Sequence, residues 1–132
     1  MPSLVGSEMC IRDRYEYDEK FISESRRYFE SGEQTTVIAL DGQTPVGCAS
    51  LSYIWIMPTF SHPTGNRAHL MNVYTRADHR RSGISKKMVE ILIEEAKENG
   101  VTEISLDATE IGRPLYEVLG FKASDSCMTM EL

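Results

Sequence analysis

The sequence predicts a mixed α/β fold in which a twisted, mostly antiparallel sheet is flanked by helices. Three observations carry the prediction. Strand-length runs of β-branched and aromatic residues lie between Gln34 and Met57 on either side of an Asp41-Gly42 turn. After Gly83 the apolar residues recur every three or four positions, the period of a helix. Two shorter strand-like runs then alternate with a second helical stretch.

The elements follow in order. Tyr15 to Gly32 carries Phe21, Ile22, Tyr28 and Phe29 among charged residues and stops at a glycine, the pattern of an amphipathic helix. Gln34 to Leu40 reads as a strand that turns at Asp41-Gly42 into a longer one, Pro45 to Met57, and the two should pair antiparallel. A loop rich in Pro, Ser, Gly and Asn runs from Pro58 to Asn66, and Arg67 to Arg76 forms a third strand. Ile84, Met88, Ile91, Leu92 and Ala96 mark the strongest helix, which ends at Asn99-Gly100. Thr102 to Asp107 reads as a strand, Gly112 to Leu119 as a short helix stopped by Gly120, and Phe121 to Leu132 as a last strand. A helix between the third strand and the run at Thr102 allows a crossover, so those two strands should be parallel.

Composition bounds the function. A chain of 132 residues, 41% hydrophobic and 26% charged, suits one domain with one modest core. No apolar run is long enough to cross a bilayer as a helix, which predicts no membrane partner. The net charge of −6 argues against nucleic acid as a partner, because phosphate neutralisation needs a broad basic face. Yet Arg76, Arg80, Arg81, Lys86 and Lys87 place five of the 14 basic residues in one short segment, where an anion should bind. Cys10, Cys48 and Cys127 are widely separated and lack metal-ligand spacing, so no metal site and no disulfide framework is expected, and a cytoplasmic setting is the simplest.

The first residues are expected to be foreign. Leu4 to Asp13, Leu-Val-Gly-Ser-Glu-Met-Cys-Ile-Arg-Asp, resembles the translation of a transposase adaptor used to build sequencing libraries. Residues 1–14 are therefore read as non-native, the single domain as residues 15–132, and the natural N-terminus as missing.

The chemistry centres on Arg80-Arg81-Ser82-Gly83-Ile84-Ser85, between a strand and a strong helix. Free N–H groups at a helix start, a glycine that permits close backbone approach, and flanking cations make a phosphate site. A solvated basic turn is the plain alternative. The segment resembles the pyrophosphate loop of the GNAT superfamily of acyl-CoA N-acyltransferases, which reads Gln or Arg, two residues, Gly, any residue, then Gly or Ala. Arg80 and Gly83 match it, and Ser85 stands where Gly or Ala is usual. A second segment, Leu115-Tyr116-Glu117-Val118-Leu119-Gly120-Phe121, is similar to the family's Leu-Tyr-Glu-x-Leu-Gly-Phe ending. Thr109 and Gly112 replace an Asn and an Ala common in the family, so no contact by that Asn is carried over.

The resemblance covers roughly Gln34 to Leu132 and implies the family's sheet with its first strand and helix missing. It also implies acetyl-CoA as co-substrate. The pyrophosphate would sit on Arg80, Arg81, Ser82, Gly83, Ile84 and Ser85, and the pantetheine arm would pair with the exposed backbone of Val73, Tyr74 and Thr75 as an added strand. The acceptor would be an amine, on a small molecule or a peptide. A homodimer is left open.

An amine attacking a thioester must be neutral, the carbonyl oxygen needs donors as it becomes an oxyanion, and the thiolate needs a proton. Backbone N–H groups serve the oxyanion if the third strand bulges near Asn72 to Tyr74. Tyr116 takes the acid role by resemblance; the plain alternative is a core tyrosine. For the base the candidates are Asp107, Glu110, His69 and His79, with Asp107 first because it ends a strand beside the expected cleft. Trp55 and Phe60, on or beside the Pro58 to Asn66 loop, would wall the acceptor site, unless Trp55 is core. Two other classes stay open: a module that senses acyl-CoA without turnover, and an interaction domain whose basic turn contacts nucleic acid or an acidic partner.

Overall fold

The computed structural model describes residues 18–132. Helix α1, Glu19–Glu30, starts where the Asp18 carboxylate accepts a hydrogen bond from the Phe21 N–H at 2.7 Å, an N-cap that satisfies one of the first-turn donors. Strands β1 (Gln34–Asp41), β2 (Thr44–Trp55) and β3 (Asn66–Thr75) follow, then a 3₁₀ turn (Ala77–His79) and helix α2 (Ile84–Glu98). Strand β4 (Glu103–Ser105) and helix α3 (Arg113–Val118) complete the order. The sheet runs β1-β2-β3-β4, with the first three strands antiparallel and β4 parallel to β3 after the α2 crossover. This is the expected mixed α/β architecture of an open, mostly antiparallel sheet flanked by helices.

The β1-β2 turn forms at Asp41-Gly42 because Gly42 takes φ +63° at the first central position of a two-residue loop, where a Cβ is disfavoured. The core lies on one face of the sheet. Ala49 and Leu51 of β2 and Ala68 and Leu70 of β3 alternate towards α2, which buries Met88, Val89, Leu92 and Ala96 against them. Leu51, Val89 and Leu92 are completely buried. The other face is polar: Thr36 and Ser50 hydroxyls lie 2.9 Å apart, and the Tyr28 hydroxyl of α1 donates to Ser52 Oγ at 2.7 Å. None of the residues of α1 is fully buried, so that helix is held by these polar contacts more than by apolar burial.

Two expectations need correction. Phe121 to Leu132 is not a strand: Met128, Met130 and Leu132 are exposed, and the backbone bends at Asp125 between Ser124 and Ser126, whose hydroxyls are 2.9 Å apart. Alternating apolar residues make a strand only against a partner edge, and β4 offers three residues where six were expected over Thr102 to Asp107. Trp55 is not core, since it is 75% exposed. The expected helix start at Tyr15 to Tyr17 and the segment read as foreign, 1–14, lie outside the described residues.

Candidate active site

The site begins with a fault in β3. Ser50 pairs with Met71 and Cys48 with Tyr74, so Asn72 and Val73 together oppose the single residue Ala49. Asn72 absorbs the extra residue by taking φ +56°, a left-handed conformation that Asn tolerates better than most side chains. The buried Cys48 thiol donates to the Asn72 carbonyl at 3.3 Å, and burial pushes its pKa up, which keeps it a neutral donor.

The bulge resets which way the backbone faces. The Arg76 N–H donates to the Val46 carbonyl at 2.7 Å, and the alternation of an antiparallel pair then turns Tyr74 towards β2 and Val73 and Thr75 away from it. On that outer side β4 pairs with β3 only from Arg67 to His69. Beyond His69 β4 no longer pairs with β3. The bulge expected near Asn72 to Tyr74 is present, and a fully paired strand is excluded.

From Thr75 the chain passes through the 3₁₀ turn into the basic loop. Arg80 Nε donates to the Thr75 carbonyl at 3.0 Å while its guanidinium stacks over the Tyr74 ring, 5.9 Å from the centroid. Arg81 adopts φ +64° and Gly83 φ +81°, so the backbone turns left-handed twice within three residues. Gly83 is the N-cap of α2 and has no side chain to cap with; the first helical bond runs from the Lys87 N–H to the Gly83 carbonyl at 3.0 Å. The N–H groups of Ile84, Ser85 and Lys86 are therefore uncapped, with the positive end of the helix dipole behind them. Ser85 Oγ lies 2.6 Å from Thr75 Oγ1, which ties the helix start to the strand end. Among the described residues Arg81, Lys86 and Lys87 enter no ion pair, whereas Arg76 is paired with Asp78 at 3.2 Å.

Tyr116 projects from α3, half-buried against the core, with its ring edge-on to Phe121 at 5.8 Å between centroids. Burial raises its pKa, so it holds its proton, and among the described residues its hydroxyl has no hydrogen-bond partner. Asp107 lies just past β4, fully exposed, with Oδ2 3.7 Å from His69 Nε2. His69 Nδ1 is 2.8 Å from Ser105 Oγ. Glu110 is exposed in the turn before α3. His79 is engaged elsewhere, with Nε2 3.0 Å from Asp41 Oδ2 and Nδ1 2.9 Å from Asp78 Oδ1.

The structure thus joins Val73 to Thr75 and Arg80 to Ser85 into one continuous surface, and pairs two of the four base candidates with each other. Ser105 escaped the sequence reading. Its only signal was the parallel register of β4 on β3, which a sequence without pairings does not display.

Residues 7–121 match the model of the acetyltransferase (GNAT) family. This chain belongs to the GNAT family. The match starts inside the segment expected to be foreign. A curated relative, the glucosamine 6-phosphate N-acetyltransferase of Trypanosoma brucei brucei, is 35% identical over 89 residues, 66% of this chain and 57% of that protein. Human N-acetyltransferase 8 is 34% identical over 59 residues, 42% of this chain and 26% of that one. The matches therefore span less than two thirds of these relatives. Among solved structures, an acetyltransferase of Clostridium acetobutylicum with acetyl-CoA superposes with a TM-score of 0.82 at 28% identity, covering 95% of this GNAT chain and 84% of that one.

Proposed function

We propose that this GNAT domain transfers the acetyl group of acetyl-CoA to a primary amine by direct attack of the amine on the thioester. One observation carries the reading: β3 loses its neighbour past His69, bulges at Asn72, and passes through the 3₁₀ turn and the basic loop to an uncapped helix start whose flanking Arg81, Lys86 and Lys87, among the described residues, enter no ion pair. That surface fits the coenzyme. Ile84, Ser85 and Lys86 N–H groups, with Arg81, Lys86 and Lys87, suit a pyrophosphate, and the outward Val73 backbone suits an extended amide-bearing arm. Arg80, Ser82 and Gly83 hold the loop in shape, and Tyr74 and Thr75 anchor Arg80.

The chain's own groups divide the work. The Val73 N–H at the bulge is placed to donate to the carbonyl oxygen as charge develops there. Tyr116, kept protonated by burial, gives its proton to the departing thiolate. Trp55, 75% exposed, pairs with Asn66 at the start of β3, and the loop that carries Phe60 meets the end of α2, so both lie at the far end of the sheet from the bulge and do not wall the acceptor side as expected. The acceptor is a small molecule or peptide amine, and the named relative makes glucosamine 6-phosphate the first to try. No helix among the described residues is long and apolar enough to cross a membrane. The free thiols of Cys48 and Cys127 support a reducing cytoplasmic setting.

The test is thiol release from acetyl-CoA, with the product identified by mass spectrometry, against glucosamine 6-phosphate, an aminoglycoside and a peptide with a free N-terminus. Acetylation of one of them supports the reading. Binding of acetyl-CoA without transfer to any amine would favour a sensing module instead.

A further inference from the structure

Ser105, His69 and Asp107 form a line of three proton-handling side chains at the point where β3 and β4 part. Ser105 Oγ is 2.8 Å from His69 Nδ1, and His69 Nε2 is 3.7 Å from Asp107 Oδ2. His69 and Ser105 are the last residues paired between the two strands. The arrangement is therefore at the apex of the gap, and the bulge at Asn72 begins three residues further along β3. Its side of the sheet is the polar one: Ser52 of β2 is opposite His69 in register and receives the Tyr28 hydroxyl of α1.

We propose that Ser105 and His69 relay the proton shed by the acceptor amine, with Asp107 beside the outer ring nitrogen. This rests on the acyltransfer reading above and adds the base that it lacks. In the tautomer that carries its proton on Nε2, the ring leaves Nδ1 to accept from the Ser105 hydroxyl. As the amine nitrogen bonds to the carbonyl carbon and the carbon–sulfur bond breaks, the amine proton passes to Ser105 Oγ and the Ser105 proton to His69 Nδ1. Tyr116 supplies the proton that the thiolate takes. The imidazolium then returns its proton to solvent, which reaches both the half-exposed ring and the exposed Asp107, and the tyrosinate regains one.

The other candidates are placed less well for this. His79 has both nitrogens occupied by Asp41 and Asp78 at the far end of the hairpin, and Glu110 is beyond β4 in an exposed turn. The remaining titratable groups on the His69 face are Arg67, paired with Glu103 at 2.8 Å, His62, 3.6 Å from Glu103, and the Tyr28 hydroxyl. They lie one step further along the strand pair or across the sheet.

The experiment has two arms. The pH dependence of kcat/KM is measured with the first amine that the wild-type chain acetylates, for wild type, His69→Gln and Ser105→Ala, with acetyl-CoA binding checked for each by melting shift. The relay predicts a loss of about 10²-fold in His69→Gln and Ser105→Ala with coenzyme binding retained. The rising limb of the profile disappears in His69→Gln. The second arm needs no acceptor: imidazole nitrogen NMR should show His69 Nδ1 accepting a hydrogen bond in the wild type and not in Ser105→Ala. Unchanged rates and an unchanged limb in His69→Gln, or a His69 Nδ1 resonance indifferent to Ser105→Ala, would overturn the relay. Absent acetyl-CoA binding in the wild type would instead overturn the acyltransfer reading.

Discussion

Arg80 Nε donates to the Thr75 carbonyl at 3.0 Å, so the first residue of the basic loop is fastened to the last residue of β3. The bond makes strand end and helix start one unit, on which coenzyme binding depends in this account. Arg80→Ala removes a hydrogen bond from a charged donor, worth about 1.5 kcal/mol or roughly tenfold in acetyl-CoA affinity. Arg80→Lys should recover little of it, because an ammonium lacks the Nε geometry and the flat face that stacks on Tyr74. Calorimetric titration of the three proteins checks this.

Asn72 sits at φ +56° in the bulge. Asn72→Gly should be close to neutral in stability, whereas Asn72→Val should cost about 1–2 kcal/mol because a β-branched side chain strains the left-handed region. Urea unfolding midpoints will separate the two. If Val relieves its strain by closing the bulge, turnover should fall with it.

Tyr116→Phe keeps the ring against Phe121 and removes the proton donor. Turnover should fall about 10²-fold while acetyl-CoA affinity holds, since among the described residues the hydroxyl has no hydrogen-bond partner to lose. Burial raises the tyrosine pKa, so the acid form persists, and the rate should stay high to a pH above the ordinary tyrosine range. An unchanged rate in the variant would remove Tyr116 from the mechanism.

His79 links the β1-β2 turn to the basic loop through Asp41 and Asp78, and hydrogen bonds to those carboxylates raise its pKa, Asp41 first. A group whose folded pKa is raised contributes stability that is full below its unfolded pKa and lost as pH rises through the folded value. Asp78 is shifted the other way, lowered chiefly by its bond to His79, so its contribution is lost as pH falls through its own depressed pKa. Melting temperature should therefore decline from mildly acidic to alkaline pH, and His79→Gln should flatten that decline. Both carboxylates are largely exposed and His79 partly so, so the effect is small.

The antiparallel β1-β2-β3 run, α2 and the short α3 were legible because their signals are local: alternation, the Asp41-Gly42 turn, and the three-and-four spacing from Ile84 to Ala96. The basic loop was legible for the same reason, since Arg80 to Ser85 are contiguous. What depends on pairing was not. Phe121 to Leu132 alternates as a strand would, yet no edge of matching length meets it. Ser105 is unremarkable in sequence, and becomes a partner of His69 only through the parallel register of β4. His79 looked like a free base, and Asp41, distant in sequence, turned it into a structural link.

The central claim is that β3 past His69 and the start of α2 form an acetyl-CoA site. The melting temperature of the chain from Tyr15 onward, with and without acetyl-CoA, tests it most directly. A ligand that binds only the folded state adds about 2.7 kcal/mol at a hundred times its Kd, which raises the melting point of a domain this size by several degrees. The account predicts that rise, and its reduction in Arg80→Ala. A folded chain whose melting point acetyl-CoA leaves unmoved would contradict it.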